Sequence, residues 1–240
     1  AVRKTYDNSG VFGIFSTFEP ADLDFYRSYL PPALSMPERP LVNCYMADVG
    51  LTRSRLTRFF EGGVLLLCER DGELGWAEVG VPINNIAVYI YATMLMGSRK
   101  LMAQKVGLRQ EGENWIAEVK RLSKGWKMEF TPKPMSELGE LKPWQEAWLE
   151  GEKYFAQITE PRFMISKINR KVHVLDWTSI FPGDSSMLQT GMARLTFDPG
   201  QELSRLVESG SEAPAVYLKV DRLLLRDFVQ NAWSDGVAGS

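Results

Sequence analysis

Lys105 lies in the stretch Gly97-Ser-Arg-Lys-Leu-Met-Ala-Gln-Lys105-Val-Gly107, eight residues after Gly97, and Met94, Leu95, Met96, Leu101, Met102 and Val106 supply apolar surroundings. A lysine amine attacks a carbonyl only when unprotonated, and with an ordinary pKa near ~10.4 about one amine in a few thousand is unprotonated at neutral pH. Removal from water lowers that value by roughly 3 to 5 units. A dry lysine is therefore a candidate imine-forming nucleophile. The plainer reading of the same residues is a solvated lysine on the last turn of a short helix, where its charge meets the macrodipole favourably. Lys100 is the rival, since Arg99-Lys100 forms a paired cation.

The elements that must position such an amine read mostly as strands. β-branched and aromatic residues mark strands at 11–18, 41–49, 64–69, 76–81 and 86–96, with breaks such as Arg70-Asp-Gly between them. Leu23, Tyr26 and Leu30 give 21–30 a helical spacing that Pro31-Pro32 stops. Ser98 is placed to cap a helix over 99–105 that Gly107 ends. Further strands are expected at 115–122, 126–131, 163–169, 172–177 and 191–197, with 215–228 closing the chain. Helices are expected at 143–155 and 201–208 and a surface loop at 131–142. Many short strands without an alternating strand-helix rhythm predict an α+β protein, predominantly antiparallel β, with a sheet or barrel and helices outside it. One domain over residues 1–240 is expected.

Charge and composition exclude several classes. The 28 Lys and Arg nearly balance the 30 Asp and Glu, so no basic field suits nucleic acid or an anionic membrane. The longest apolar run, 86–96, is too short to span a bilayer, and no signal pattern stands at the N-terminus. A cytoplasmic, soluble protein is the expectation. Cys44 and Cys68, the two cysteines, sit in apolar runs and read as buried reduced thiols. His173 is the sole histidine and, between Val172 and Val174, reads as a strand residue. A zinc site and a histidine-based triad therefore lack their ligands.

Several local patterns follow the order found in acetoacetate decarboxylase and its relatives. They are Tyr29-Leu-Pro-Pro-Ala-Leu34, Pro40-Leu-Val42, Phe59-Phe-Glu61, Gly75-Trp76, Pro82-Ile-Asn-Asn85 and the Gly97 to Gly107 block, followed by 177–195 and 215–228. Over nearly its full length the chain resembles that family. The resemblance implies a closed, cone-shaped β-barrel core and a homo-oligomer. It also implies a Schiff-base-forming lyase without metal or organic cofactor, acting on a small oxo acid by decarboxylation or by aldolase or dehydratase chemistry. In the family the imine-forming lysine follows a glycine by eight residues, which selects Lys105, and an active-site glutamate falls on Glu61. Arg99, Tyr45, Tyr89, Met96 and Gln104 are the expected substrate contacts.

The departures are specific. The second lysine of the family's pair is Val106 here, the arginine and glutamate after the glycine are Ser98 and Arg99, an arginine near the first strand falls at Ser9, and a second acid falls at Tyr45. Activation of the amine would then rest mainly on desolvation. A non-catalytic small-molecule-binding protein on the same fold is the alternative.

Overall fold

The structure, a computed structural model, describes residues 4–32, 34–51, 58–96, 98, 100–142, 163–168, 171–180 and 187–234. The strands are β1 (Lys4–Phe18), β2 (Val42–Leu51), β3 (Phe59–Arg70), β4 (Glu73–Ile83), β5 (Lys100–Met102), β6 (Lys105–Glu111), β7 (Asn114–Arg121), β8 (Lys124–Pro132), β9 (Phe163–Ile168), β10 (Lys171–Ile180), β11 (Met187–Phe197) and β12 (Glu212–Ser234). Helices α1 (Leu23–Tyr29) and α2 (Ile86–Ile90) flank them, and a π-helical turn, Tyr91–Met96, continues α2. Asp71 and Gly72, with φ of 52° and 79°, make the two-residue hairpin between β3 and β4 that the Arg70-Asp-Gly break foretold.

All twelve strands belong to one sheet. β1 pairs antiparallel with both β2 and β12, which closes β1-β2-β3-β4-β9-β10-β12 into a ring. The ring is antiparallel except where β4 meets β9. From β12 the sheet continues through β11, β8 and β7 to β6, and this extension covers the outer side of the ring. Side chains alternate between the two faces of a strand, so the core divides accordingly. Ile14, Cys44, Met46, Leu66 and Val79 on the ring join Val106, Val119, Met128 and Leu195 on the extension in one cluster. The opposite, lumenal face carries Tyr45, Ala47, Leu65, Leu67, Trp76 and Val81, with Phe15 against them.

Two segments fold otherwise than their sequence pattern predicts. Residues 86–96 are helical, not a strand: the Asn85 side chain accepts from the amides of Ala87 and Val88 and starts α2. Its apolar residues are only partly used, for Val88 is buried while Ile86 and Ile90 are 57% and 48% exposed. Of the helix expected over 99–105, the described residues, 100–105, are not helical. β5 pairs in parallel with β4 and β6 pairs with β7, so the backbone is already satisfied by the sheet, and Gly107 lies within β6.

Smaller differences follow the same logic. Between 201 and 208 only Glu202–Arg205 turns, as a 3-10 helix. The 131–142 loop contains the end of β8 and a 3-10 turn, Met135–Glu137. The helix expected at 143–155 lies outside the described residues. Cys44 and Cys68 are buried free thiols, and burial pushes Cys68 up to about 12. His173 stands in β10. No helix among the described residues is long and apolar enough to cross a membrane.

Candidate active site

Strand register brings four polar side chains to one face of the ring. Ala47 pairs with Glu61 and Tyr45 with Gly63, Leu65 pairs with Glu78, and Val81 pairs with Lys100. Directly opposed residues share a face. Since Tyr45, Ala47, Leu65 and Val81 belong to the lumenal cluster, Glu61, Glu78 and Lys100 face the lumen with them.

Their hydrogen bonds fall into two groups on that face. Lys100 Nζ donates to Glu61 Oε2 at 2.7 Å, and Tyr45 Oη donates to the other oxygen, Oε1, at 3.2 Å. Ser98 Oγ donates to Glu78 Oε1 at 2.7 Å, with both residues buried. The Lys100 and Glu61 side chains retain 11% and 17% exposure. Desolvation acts to lower the Lys100 pKa, but the Glu61 and Glu78 carboxylates and the Glu61 hydrogen bond outweigh it and hold the ammonium above its ordinary value. Burial, and then the same two carboxylates, push the Tyr45 phenol well above its ordinary value. The resting pair is thus an ammonium facing a carboxylate, and a proton has one short bond along which to move.

Lys105 stands elsewhere. Val106 takes the core-facing slot of β6, and the pleat turns Lys105 to the outer side, where its side chain is 57% exposed. Its Nζ donates to Glu118 Oε2 at 2.6 Å, an oxygen that Arg109 also reaches at 3.3 Å. The expectation of a dry amine fails at Lys105 and is met in burial, though not in charge state, at Lys100.

The remaining expected contacts divide. Tyr45 and Glu61 are brought together with Lys100. Tyr89 lies on α2 rather than a strand and packs beside Phe59, Ile83 and Val88. Gln104 is an exposed residue at a bend between β5 and β6, and its backbone N–H donates to the Lys120 carbonyl at 2.9 Å. Among the described residues no hydrogen bond links either to the Glu61–Lys100 pair. Arg99 lies outside the described residues; Met96 ends the π-helical turn, and its side chain is not described.

Two members of the set escaped the sequence reading. Glu78 is a carboxylate in the middle of the apolar run 76–81, and an unaccompanied acid there was the available signal, because charged groups are rarely buried without a partner. The sequence places Ser98 as a helix cap, whereas in the structure its hydroxyl serves Glu78. No group of three or more His, Cys, Asp and Glu arranged to hold a metal occurs among the described residues. A surface cleft of about 550 Å³ lined by Glu19, Pro20, Leu23, Glu38, Arg39 and Pro40 shares no residue with this set.

No protein-family model matches the chain, and no curated protein matches it. Solved structures do. An acetoacetate decarboxylase from Legionella pneumophila is 16% identical with a TM-score of 0.66, over 95% of this chain and 88% of that one. The enduracididine biosynthesis enzyme MppR, complexed with the condensation product of pyruvate and imidazole 4-carboxaldehyde, is 11% identical with a TM-score of 0.65, over 99% and 92%. An acetoacetate decarboxylase-like enzyme from Sphingomonas wittichii is 8% identical with a TM-score of 0.62, over 96% and 94%. At such identities the agreement speaks for architecture, and over nearly the whole length of each partner it is the same architecture: this chain has the acetoacetate decarboxylase-like fold.

Proposed function

We propose that the chain is a lyase in which Lys100 joins the carbonyl of a small oxo acid as an iminium ion. The observation that carries this reading is the lumenal Lys100–Glu61 hydrogen bond of 2.7 Å, flanked by Tyr45 and Glu78. Glu61 Oε2 takes the proton from the ammonium, the freed amine adds to the carbonyl carbon, and that proton, passed from Glu61 to the carbinolamine hydroxyl, lets it leave as water to give the iminium. The positive nitrogen then withdraws electrons from the adjacent carbon. That effect permits loss of carbon dioxide from a 3-oxo acid and equally permits aldol or dehydration chemistry on a 2-oxo acid. The pyruvate-derived product in MppR and the decarboxylase from Legionella pneumophila support a carbonyl substrate on this fold.

One observation favours a second reading. The carboxylates hold Lys100 in its charged form, and an ammonium that never surrendered its proton would bind an oxygen ligand without forming a bond to it. Lys100→Arg separates the two. The variant keeps the cation beside Glu61 but has no amine able to form an imine, so turnover of an oxo-acid panel disappears if the lyase reading is right. Equal ligand binding by both proteins, with no turnover by either, would establish the non-catalytic reading.

A further inference from the structure

We infer that Tyr45 is a positioning residue for the Glu61–Lys100 pair and that Gly63 is glycine so that the Tyr45 ring can lie where it does; the catalytic consequence rests on the lyase reading, the geometry does not. Tyr45 stands opposite Gly63 in the β2–β3 register. A Cβ at Gly63 would lie 2.3 Å from Tyr45 Cε1 and 2.8 Å from Cζ, closer than any real carbon contact. The ring is also held from β1, where Phe15 stacks on it at 5.7 Å with planes 8° apart. Two restraints, one a neighbour and one a missing side chain, thus aim a single hydroxyl at Glu61 Oε1.

The consequence concerns the other carboxylate oxygen. A carboxylate with one oxygen tied cannot rotate freely, so Oε2 stays on Lys100 Nζ. A carboxylate oxygen fixed at hydrogen-bond distance from Nζ favours the ammonium. The polar groups that face Lys100 among the described residues are Glu61 from β3, Glu78 from β4, with Ser98 on Glu78, and Tyr45 from β2. Tyr45 acts on Lys100 chiefly through Glu61.

The test reads the charge state of Lys100 directly. Trace acetylation of the whole protein between pH 8 and 10, followed by peptide mass analysis, measures the neutral-amine fraction at each lysine, with Lys105 as the internal reference. Tyr45→Phe removes one oxygen and leaves the ring in place. It is expected to loosen the anion's hold on Nζ and so to raise Lys100 labelling about tenfold relative to Lys105. An unchanged ratio overturns the inference. Gly63→Ala is expected to shift the ratio in the same direction and to lower thermal stability, with much of that loss absent when Tyr45→Ala is added. An equal loss in the Tyr45→Ala background overturns the packing half, and should Gly63→Ala alone not fold, the double variant's folding supports it. If the unaltered protein forms no imine with any oxo acid, the lyase reading fails while the labelling ratios still decide the role of Tyr45.

Discussion

Lys100 and Lys105 stand five residues apart in sequence and each touches a carboxylate at nearly the same distance, 2.7 Å to Glu61 and 2.6 Å to Glu118. Their surroundings separate them. The lumenal pair keeps 11% and 17% of its side-chain exposure, whereas the β6 pair keeps 57% and 29%. Water screens the second pair and lets either partner leave at little cost. In the lumen each charge depends on the other, because desolvation penalises an unpaired ion far more than it does at a surface. A contact distance alone therefore distinguishes nothing; the dielectric around it does.

The sharpest break in that comparison is chemical. Lys100→Arg should reduce turnover of a responsive oxo acid by about 10⁴-fold or more, while Lys105→Arg leaves it within assay error in the same steady-state measurement. Glu61→Gln should cost roughly 10² to 10⁴-fold, read as a fall in kcat, whereas Glu118→Gln should change nothing.

Stability gives the next contrast. Lys100→Ala strands Glu61 beside Glu78 and should cost about 3 to 5 kcal/mol in chemical denaturation; Lys105→Ala should cost at most about 1 kcal/mol. Half-molar sodium chloride should erase the Lys105 effect and spare most of the Lys100 effect.

pH sharpens the contrast from both ends. Lys100 is raised above its ordinary 10.5, so its contribution to stability is complete below that value and is lost as pH rises through the higher folded value. Glu118 is held below its ordinary 4.5, first by the Lys105 hydrogen bond. Its small contribution is present above 4.5 and is lost as pH falls through the lowered value. Denaturation midpoints of Lys100→Ala and Glu118→Gln against the parent, taken across pH, should converge at opposite ends of the scale.

Much of the ring could be read from residue order, because a strand with one face on a core writes that face into every second residue, as in Cys44 and Met46 against Tyr45 and Ala47. Residues 86–96 misled because β-branched apolar residues suit either state, and the deciding feature was a single Asn85 side chain bonded to two amides. Glu61 follows from the family resemblance, and register sets it on the same face as Lys100. The inward turn of Lys100 rather than Lys105 was not legible, since counting eight residues from Gly97 says nothing about which face a side chain takes. Register does: Lys100 opposite Val81 turns inward, and Val106, occupying the core, turns Lys105 outward. Glu78 was legible in principle as an acid in an apolar run, but its partner Ser98 lies 20 residues away, a pairing that only the fold creates.

The central claim is that the inward lysine, and not the outward one, carries the chemistry. Incubating the protein with a panel of 2-oxo and 3-oxo acids, reducing with borohydride and mapping the mass increment tests it most directly. The account predicts a substrate-derived increment on Lys100 that is absent in Lys100→Arg and undiminished in Lys105→Arg. An increment confined to Lys105, or none on Lys100 with any member of the panel, would contradict it.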